Sequence, residues 1–118
     1  MTARRARCWV ERVVDSDTLV LWLEATDDVR VRYRVRIVGI EGGELGTEEG
    51  ARGAAVMAEA VASLTLEQCY WLGSLNTCDQ HGRLVGNVIT DSGVTLTTVL
   101  KEAGHHWNRQ RNGSQKRE

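Results

Sequence analysis

The most constraining feature of this chain is a strict alternation of apolar and basic residues over positions 29–37. Apolar side chains occupy the odd positions, which are Val29, Val31, Tyr33, Val35 and Ile37. Arginines occupy the even positions, which are Arg30, Arg32, Arg34 and Arg36. A period of two predicts a β-strand with one apolar face and one arginine face. Like charges in a row oppose folding, so this row is either solvated or matched to an anion, and we favour solvation for its first three members.

Length and composition predict one domain with a modest core. The chain has 118 residues, 42% of them hydrophobic, and a formal net charge of -1. We expect residues 1–118 to form a single domain with a core at about 8–107 and a flexible tail at 108–118. The net charge provides no overall attraction for a polyanion, so any such binding must come from a local basic surface.

Hydrophobic periodicity divides the chain into seven elements. The predicted strands are 8–15, 18–25, 29–40, 66–75 and 83–90, and the predicted helices are 48–64 and 94–104. Five strands with one helix after the third and a second helix after the fifth are typical of an OB-fold. We therefore predict a five-stranded Greek-key β-barrel with two helices.

Three short segments contain residues suited to phosphate chemistry. They are residues 13–18, which include Asp17, then 36–44, which run from Arg36 to Glu44, and 79–83, which end at Arg83. Two arginines can neutralise the charge of a phosphoryl transition state, and clustered carboxylates can hold a hard cation and orient a water. If strand ends of one barrel bring these segments together, the predicted chemistry is that of a phosphodiester.

The order and spacing of these segments resemble the staphylococcal nuclease (thermonuclease) family over about residues 8–107. The family's D-G-D-T turn corresponds to DSDT at 15–18, and its I-D-A-P-E segment corresponds to IEGGE at 40–44. Its D-x-Y-G-R turn corresponds to DQHGR at 79–83, and its L-N-x-x-L-x-x-x-G segment resembles 96–104. Each motif alone is unspecific, but four in this order make a specific match.

The resemblance implies a calcium-dependent nuclease that cleaves single-stranded DNA or RNA and leaves 3′-phosphate ends. The metal ligands that it implies are Asp17, Glu41 and the carbonyl of Gly42. The catalytic residues that it implies are Glu44, which engages the attacking water, and Arg36 and Arg83, which bind the scissile phosphate. His81 replaces the family's Tyr and is assigned to substrate binding. The implied roles suit the chemistry, because calcium accepts several oxygen ligands at flexible geometry and arginine offers bidentate hydrogen bonds.

Two departures from the family pattern leave alternatives open. Glu41 stands where the family has Asp, and Gly43 stands where it has Pro, which changes the segment before Glu44. The first alternative is a catalytically weak or inactive OB-fold module that binds nucleic acid or a protein partner. The second is another divalent cation in place of calcium. The sequence identifies no particular protein partner.

Cysteine usage and hydropathy bear on the cellular compartment. Cys8, Cys69 and Cys78 form no C-x-x-C pair, so we expect free thiols, although Cys69 and Cys78 could pair if they lie opposite each other in a hairpin. No segment is long and apolar enough to span a membrane, and no apolar stretch of a signal peptide follows the basic N-terminus. We therefore expect a cytoplasmic protein with no membrane association, and secretion stays open if a leader precedes this sequence.

Overall fold

The fold is seen in a computed structural model that describes residues 4–40 and 48–104. Its strands are β1 (Arg4–Val13), β2 (Thr18–Thr26), β3 (Val29–Ile37), β4 (Cys69–Cys78) and β5 (Leu84–Thr90). Its helices are α1 (Glu48–Leu64), between β3 and β4, and α2 (Leu96–Glu102), after β5. The predicted order of elements is confirmed. None of the helices in the described ranges is long and apolar enough to cross a bilayer.

The five strands close into a barrel in the order β1-β2-β3-β5-β4. Strand β1 is antiparallel to both β2 and β4, and the β2–β3 and β4–β5 pairs are also antiparallel. The last contact, which we call the seam, is parallel and joins Val35–Ile37 of β3 to Leu84–Gly86 of β5. A closed mixed barrel with a helix after β3 and another after β5 confirms the predicted OB-type architecture.

The core lies inside the barrel and beneath the two helices. The predicted alternation on β3 is confirmed toward its end, where Val35 and Ile37 are buried and Arg34 is exposed, whereas Val29 at its start is 49% exposed. Strand β2 buries Leu19, Leu21 and Leu23 on the same inner side. The helices close the core with Met57, Ala60 and Leu64 of α1 and Leu96 and Leu100 of α2. Burial of this apolar surface is the main stabilisation of the barrel.

Two small residues allow β4 and β5 to approach closely. Gly73 pairs with Gly86, and a Cβ added at Gly86 would lie 2.5 Å from the carbonyl oxygen of Leu72 and 2.8 Å from the ring of Trp71. Trp71 is fully buried at this point, and its indole N–H donates to the carbonyl of Ser74 at 3.0 Å. The absence of side chains at 73 and 86 therefore makes room for the largest side chain of the core.

Several predicted boundaries are wrong, including the end of β4, which is Cys78 rather than residue 75, and both ends of α2. Strand β1 begins at Arg4 rather than at residue 8, and β3 ends at Ile37 rather than at residue 40. Strand β4 begins at Cys69 rather than at residue 66, because α1 continues into a turn in which Thr65 donates its N–H to Val61. Leu66, predicted to lie in the strand, is 88% exposed in that connection.

The three cysteines are free, as expected. Cys8 and Cys69 are buried and Cys78 is exposed. The hairpin pairing considered for Cys69 and Cys78 is wrong, because they are the two ends of one strand, β4. At roughly 3.3 Å per residue they are too far apart for a disulfide.

Candidate functional site

Three separate elements bring Asp17, Arg36 and Arg83 together at one end of the barrel. Asp17 lies in the β1–β2 turn, Arg36 lies near the end of β3, and Arg83 directly precedes β5. Nη2 of Arg36 is 3.5 Å from Oδ2 of Asp17, and Nη1 of Arg83 is 3.7 Å from Oδ1 of the same carboxylate. We call these three side chains the arginine–aspartate cluster. Two guanidinium groups that converge on one carboxylate form a site suited to anions.

Thr18 joins two members of this cluster. Its hydroxyl donates to Oδ1 of Asp17 at 2.8 Å and accepts from Nη1 of Arg83 at 2.8 Å. Thr18 is only 1% exposed, so water cannot readily replace these bonds. The threonine therefore orients the guanidinium of Arg83 toward the turn that carries Asp17.

A second carboxylate, Asp79, holds Arg83 from its other side. Oδ2 of Asp79 accepts a hydrogen bond from Nε of Arg83 at 3.0 Å, and Nη2 of the same guanidinium lies 2.9 Å from that oxygen as an ion pair. Its Oδ1 accepts the backbone N–H groups of Arg83 and His81, both at 2.9 Å. These bonds, led by the N–H of Arg83, lower the pKa of Asp79 to about 2. The carboxylate is therefore ionised, and it ties the β4–β5 turn to the arginine.

Arg36 is held by the chain segment that follows β3. Its Nη1 donates to the carbonyl of Ile37 at 3.3 Å and its Nη2 to the carbonyl of Ile40 at 3.4 Å. The backbone N–H of Ile37 donates to the carbonyl of Asp17 at 3.0 Å, which fixes the β1–β2 turn against the end of β3. The predicted residues Glu41, Gly42 and Glu44 lie outside the described residues, so their positions stay predictions.

The two aspartates of the first turn are electrostatically linked. The backbone N–H of Asp17 donates to Oδ1 of Asp15 at 3.1 Å. Burial and the neighbouring Asp17 raise the pKa of Asp15. Burial also disfavours the charged form of Asp17, but hydrogen bonds from Asp15 and Thr18, with the charges of the two arginines, lower its pKa overall. Asp15 is therefore the more easily protonated member of the pair.

The carboxylate pair has the chemistry of a partial site for a hard cation. Asp15 and Asp17 offer oxygen ligands, and two carboxylates that repel each other are stabilised by a cation. No group of three or more His, Cys, Asp or Glu residues placed to hold a metal ion occurs within residues 4–40 and 48–104. The two aspartates offer a divalent cation carboxylate oxygens, to which backbone carbonyls and waters can add.

The structure places the predicted residues unequally. Asp17, Arg36 and Arg83 come together, whereas His81 is exposed, and the contacts described for it are with Asp79 and Gln80 in its own turn. Thr18 and Asp15 both belong to the DSDT motif at 15–18, but the motif alone predicts no role for either side chain. Asp79, the first residue of the DQHGR motif, also has a role that the motif did not indicate, since it pairs with Arg83 and the two side chains are only 20% and 14% exposed.

Comparison with known proteins gives a limited similarity to endonucleases. No protein-family model matches the chain. Proteins from Escherichia coli O157:H7 and from Escherichia coli, each described as an uncharacterized endonuclease, are 29% identical to it over 98 residues. The matched region is 83% of this chain and 58% of each relative, so the chain spans less than two thirds of their length. The resemblance to staphylococcal nuclease is not tested by this similarity and stays a prediction.

Proposed function

We propose that the chain is a metal-dependent nuclease that hydrolyses phosphodiester bonds of single-stranded DNA or RNA. The observation that carries the proposal is the convergence of Arg36, in β3, and Arg83, just before β5, within 3.7 Å of the carboxylate of Asp17. The similarity to Escherichia coli proteins described as endonucleases supports nuclease chemistry. The family resemblance adds calcium as the cation and a 3′-phosphate as the product.

Hydrolysis that leaves a 3′-phosphate breaks the bond between phosphorus and the 5′-oxygen. A water adds its oxygen to phosphorus, loses one proton to a base, and the 5′-oxygen gains a proton as it leaves. In the proposal Glu44 engages the water, and Arg36 and Arg83 donate hydrogen bonds to the phosphate oxygens on which charge builds. Such preorganised donors supply much of the rate acceleration in phosphoryl transfer, because they need no reorganisation during the reaction.

The contacts that hold the Arg83 guanidinium in place favour its proposed role in binding phosphate. Asp79 and Thr18 hold its Nε, Nη1 and Nη2 atoms, so its planar group has little rotational freedom. A preorganised guanidinium loses less entropy on binding phosphate than a free one. Arg83 is accordingly the residue on which we expect the activity to depend most.

A divalent cation, calcium by resemblance, would be held by Asp17 with Glu41 and the carbonyl of Gly42, and Asp15 adds a further carboxylate beside Asp17. When bound, such a cation polarises the phosphate and lowers the pKa of a coordinated water. Asp17 can bind it only by sharing its oxygens with Arg36 and Arg83 or by releasing them. Release would remove one carboxylate partner from each guanidinium group, and the N–H groups so vacated could donate to a phosphate.

One observation favours the binding-only alternative. The charge of Asp17 is already balanced by two guanidinium groups and the hydroxyl of Thr18. A cluster that satisfies itself in this way is stable without a metal, and it could bind an anion without cleaving it. The two functions differ in whether cleavage occurs when a cation is supplied.

The test measures cleavage of fluorescent single-stranded DNA and RNA oligonucleotides in calcium, magnesium, manganese or a chelator. We expect cleavage with a divalent cation and none with chelator. Arg83→Ala or Arg36→Ala should lower the rate by about 100- to 1,000-fold, the usual cost of removing one transition-state donor. Arg52→Ala, which removes an exposed arginine from α1, is the matched control and should leave the rate unchanged.

Two outcomes would contradict the proposal. Intact binding with no cleavage in any cation would favour the binding-only module. Cleavage that survives both Arg83→Ala and Glu44→Gln would assign the activity to a different site. Product ends are checked separately, because a 5′-phosphate product would remove the predicted bond specificity while leaving a nuclease.

A further inference from the structure

The outer face of the β1–β2–β3 sheet combines arginines with tryptophans. Trp9 of β1 lies opposite Trp22 of β2, and Trp22 lies opposite Arg32 of β3. Further along the same β2–β3 pair, Thr18 lies opposite Arg36. We call this surface the arginine–tryptophan face, and its members are Trp9, Trp22, Arg30, Arg32 and Arg34. It is continuous with the arginine–aspartate cluster, because Arg36 is both the next outward residue of β3 and a partner of Asp17.

Several side chains on this face have specific partners and are not simply solvated. The guanidinium of Arg30 lies 3.8 Å from the ring centre of Trp9, within the range of a cation–π contact. Arg32 donates two hydrogen bonds to Glu11, both at 2.8 Å, and the indole N–H of Trp22 donates to the same carboxylate at 2.9 Å. Glu11 therefore positions one arginine and one tryptophan side by side on the surface.

Part of the face stays available for a ligand. Trp22 is 37% exposed although its N–H is already bonded. Arg34 is exposed, and none of the ion pairs within the described ranges includes it. Alternate residues of a strand are roughly 7 Å apart, so the β3 arginines form a row of regularly spaced cations that leads to Arg36.

We propose that the arginine–tryptophan face is a binding track for single-stranded nucleic acid that leads along β3 to the arginine–aspartate cluster. The inference rests on the proposed function and names where the substrate lies away from the scissile bond. The cations match phosphates, and an exposed indole beside them offers a surface on which a base can stack. A single strand fits better than a duplex, because the bases of a duplex are stacked on each other and cannot reach an indole on a sheet.

Binding is measured by fluorescence anisotropy with a labelled mixed-sequence 15-nucleotide DNA strand in chelator, over a series of salt concentrations. Arg30→Gln with Arg34→Gln should weaken binding at least about tenfold. The slope of log affinity against log salt should fall by about 1.4, since each lost phosphate contact accounts for about 0.7. Arg52→Gln with Lys101→Gln removes the same charge from the helices and should change neither quantity appreciably.

Two further variants separate the track from a loss of folding. Trp22→Ala should weaken binding at least about fivefold, whereas Trp22→Phe, which keeps a stacking surface, should retain most of the affinity. Glu11→Gln should tighten binding and steepen the salt slope, because it removes a negative charge and releases Arg32. An unfolded variant cannot bind more tightly, so this gain is independent of stability.

Unchanged affinity and slope in Arg30→Gln with Arg34→Gln would overturn the inference. Equal effects of Trp22→Ala on oligonucleotide and on polyphosphate would also overturn it, because polyphosphate has no bases to stack. So would equal affinity for the duplex form of the same sequence. Hydrolysis of bis(p-nitrophenyl) phosphate, which is too small to reach the track, should be unaffected by the track variants. If neither the wild type nor any variant hydrolyses oligonucleotides or bis(p-nitrophenyl) phosphate, the proposed function fails. The binding measurements in chelator still decide whether the arginine–tryptophan face binds single-stranded nucleic acid.

Discussion

Replacing Thr18 by valine tests whether the site is organised by a buried hydroxyl. Valine has nearly the same shape, so Thr18→Val removes the hydroxyl while it leaves the charges of Asp17, Arg36 and Arg83 in place. The lost bonds are the donation to Asp17 and the acceptance from Arg83, both at 2.8 Å. Since Thr18 is 1% exposed, water cannot restore them without disturbing the turn.

The size of the effect follows from these contacts. A hydrogen bond with a charged partner contributes about 1.5–3 kcal/mol net. Arg83 can recover part of this by closing the 3.7 Å gap between its Nη1 and Oδ1 of Asp17. We therefore expect the free energy of unfolding to fall by about 2–4 kcal/mol for the two bonds together. At about 4 °C per kcal/mol for a domain of this size, Tm should fall by about 8–16 °C.

The assay is urea unfolding of wild type, Thr18→Val and the control Thr18→Ser, which keeps the hydroxyl. The Thr18 hydroxyl helps to lower the pKa of Asp17, so the bond stabilises the folded state when Asp17 is ionised. The difference between wild type and Thr18→Val should therefore be full above the ordinary Asp pKa of 3.8 and should shrink as pH falls through the lowered pKa.

Cleavage by Thr18→Val should also decrease, on the order of 100-fold, because an arginine displaced by about 1 Å no longer meets the phosphate correctly. Thr18→Ser should keep most of the wild-type rate. A Thr18→Val protein whose free energy of unfolding lies within about 0.5 kcal/mol of wild type would refute the reasoning. Undiminished cleavage would equally show that the hydroxyl does not position Arg83.

Three other predictions concern the turn, the thiols and the closest strand contact. Asp79→Asn should lower Tm at neutral pH. The difference from wild type should shrink as the pH falls below about 4 and be lost as it falls through about 2, since the folded-state pKa of Asp79 is about 2 and its ordinary value is 3.8. A pH-independent difference would contradict this. A thiol reagent should modify native protein at Cys78 alone, the one exposed thiol of three. A second modified cysteine, detected by mass spectrometry, would contradict this prediction. Gly86→Ala should destabilise by about 3 kcal/mol or more, because the added Cβ meets the Leu72 carbonyl at 2.5 Å. The control Gly93→Ala, at φ +95 in open space, should cost only about 1–2 kcal/mol, and equal losses would refute the clash.

The fold was largely predictable because its strongest signals are local. The alternation on β3 has a period of two, which predicts that Val35 and Ile37 share one face and Arg34 lies on the other, and the structure buries the first two and exposes the third. The start of β4 was not predictable in this way, because Leu66 reads as apolar strand while the backbone still follows the last turn of α1. Hydrogen bonds, and not hydropathy, decide that boundary.

The site was predictable only in part, for a related reason. Motif spacing indicated Asp17, Arg36 and Arg83, whose charges suit phosphate chemistry. The role of Thr18 depends on Arg83, which lies 65 positions further along the chain. A threonine in a turn is common, and no local pattern reveals which distant group its hydroxyl will meet. The assignments of Glu41, Gly42 and Glu44 stay predictions, since those residues lie outside the described ranges.

The parallel seam of the barrel has a consequence for how activity and folding are connected. Arg36 is paired with Val85 within the seam, and Arg83 directly precedes Leu84, the first β5 residue in it. The two guanidinium groups therefore come within reach of each other only when β3 and β5 have joined, which is a contact between distant parts of the chain. A partly folded chain with every hairpin formed would still hold its arginines apart. Because both arginines can bind one phosphate only when β3 and β5 are paired, a bound anion should stabilise that pairing and with it the closed barrel.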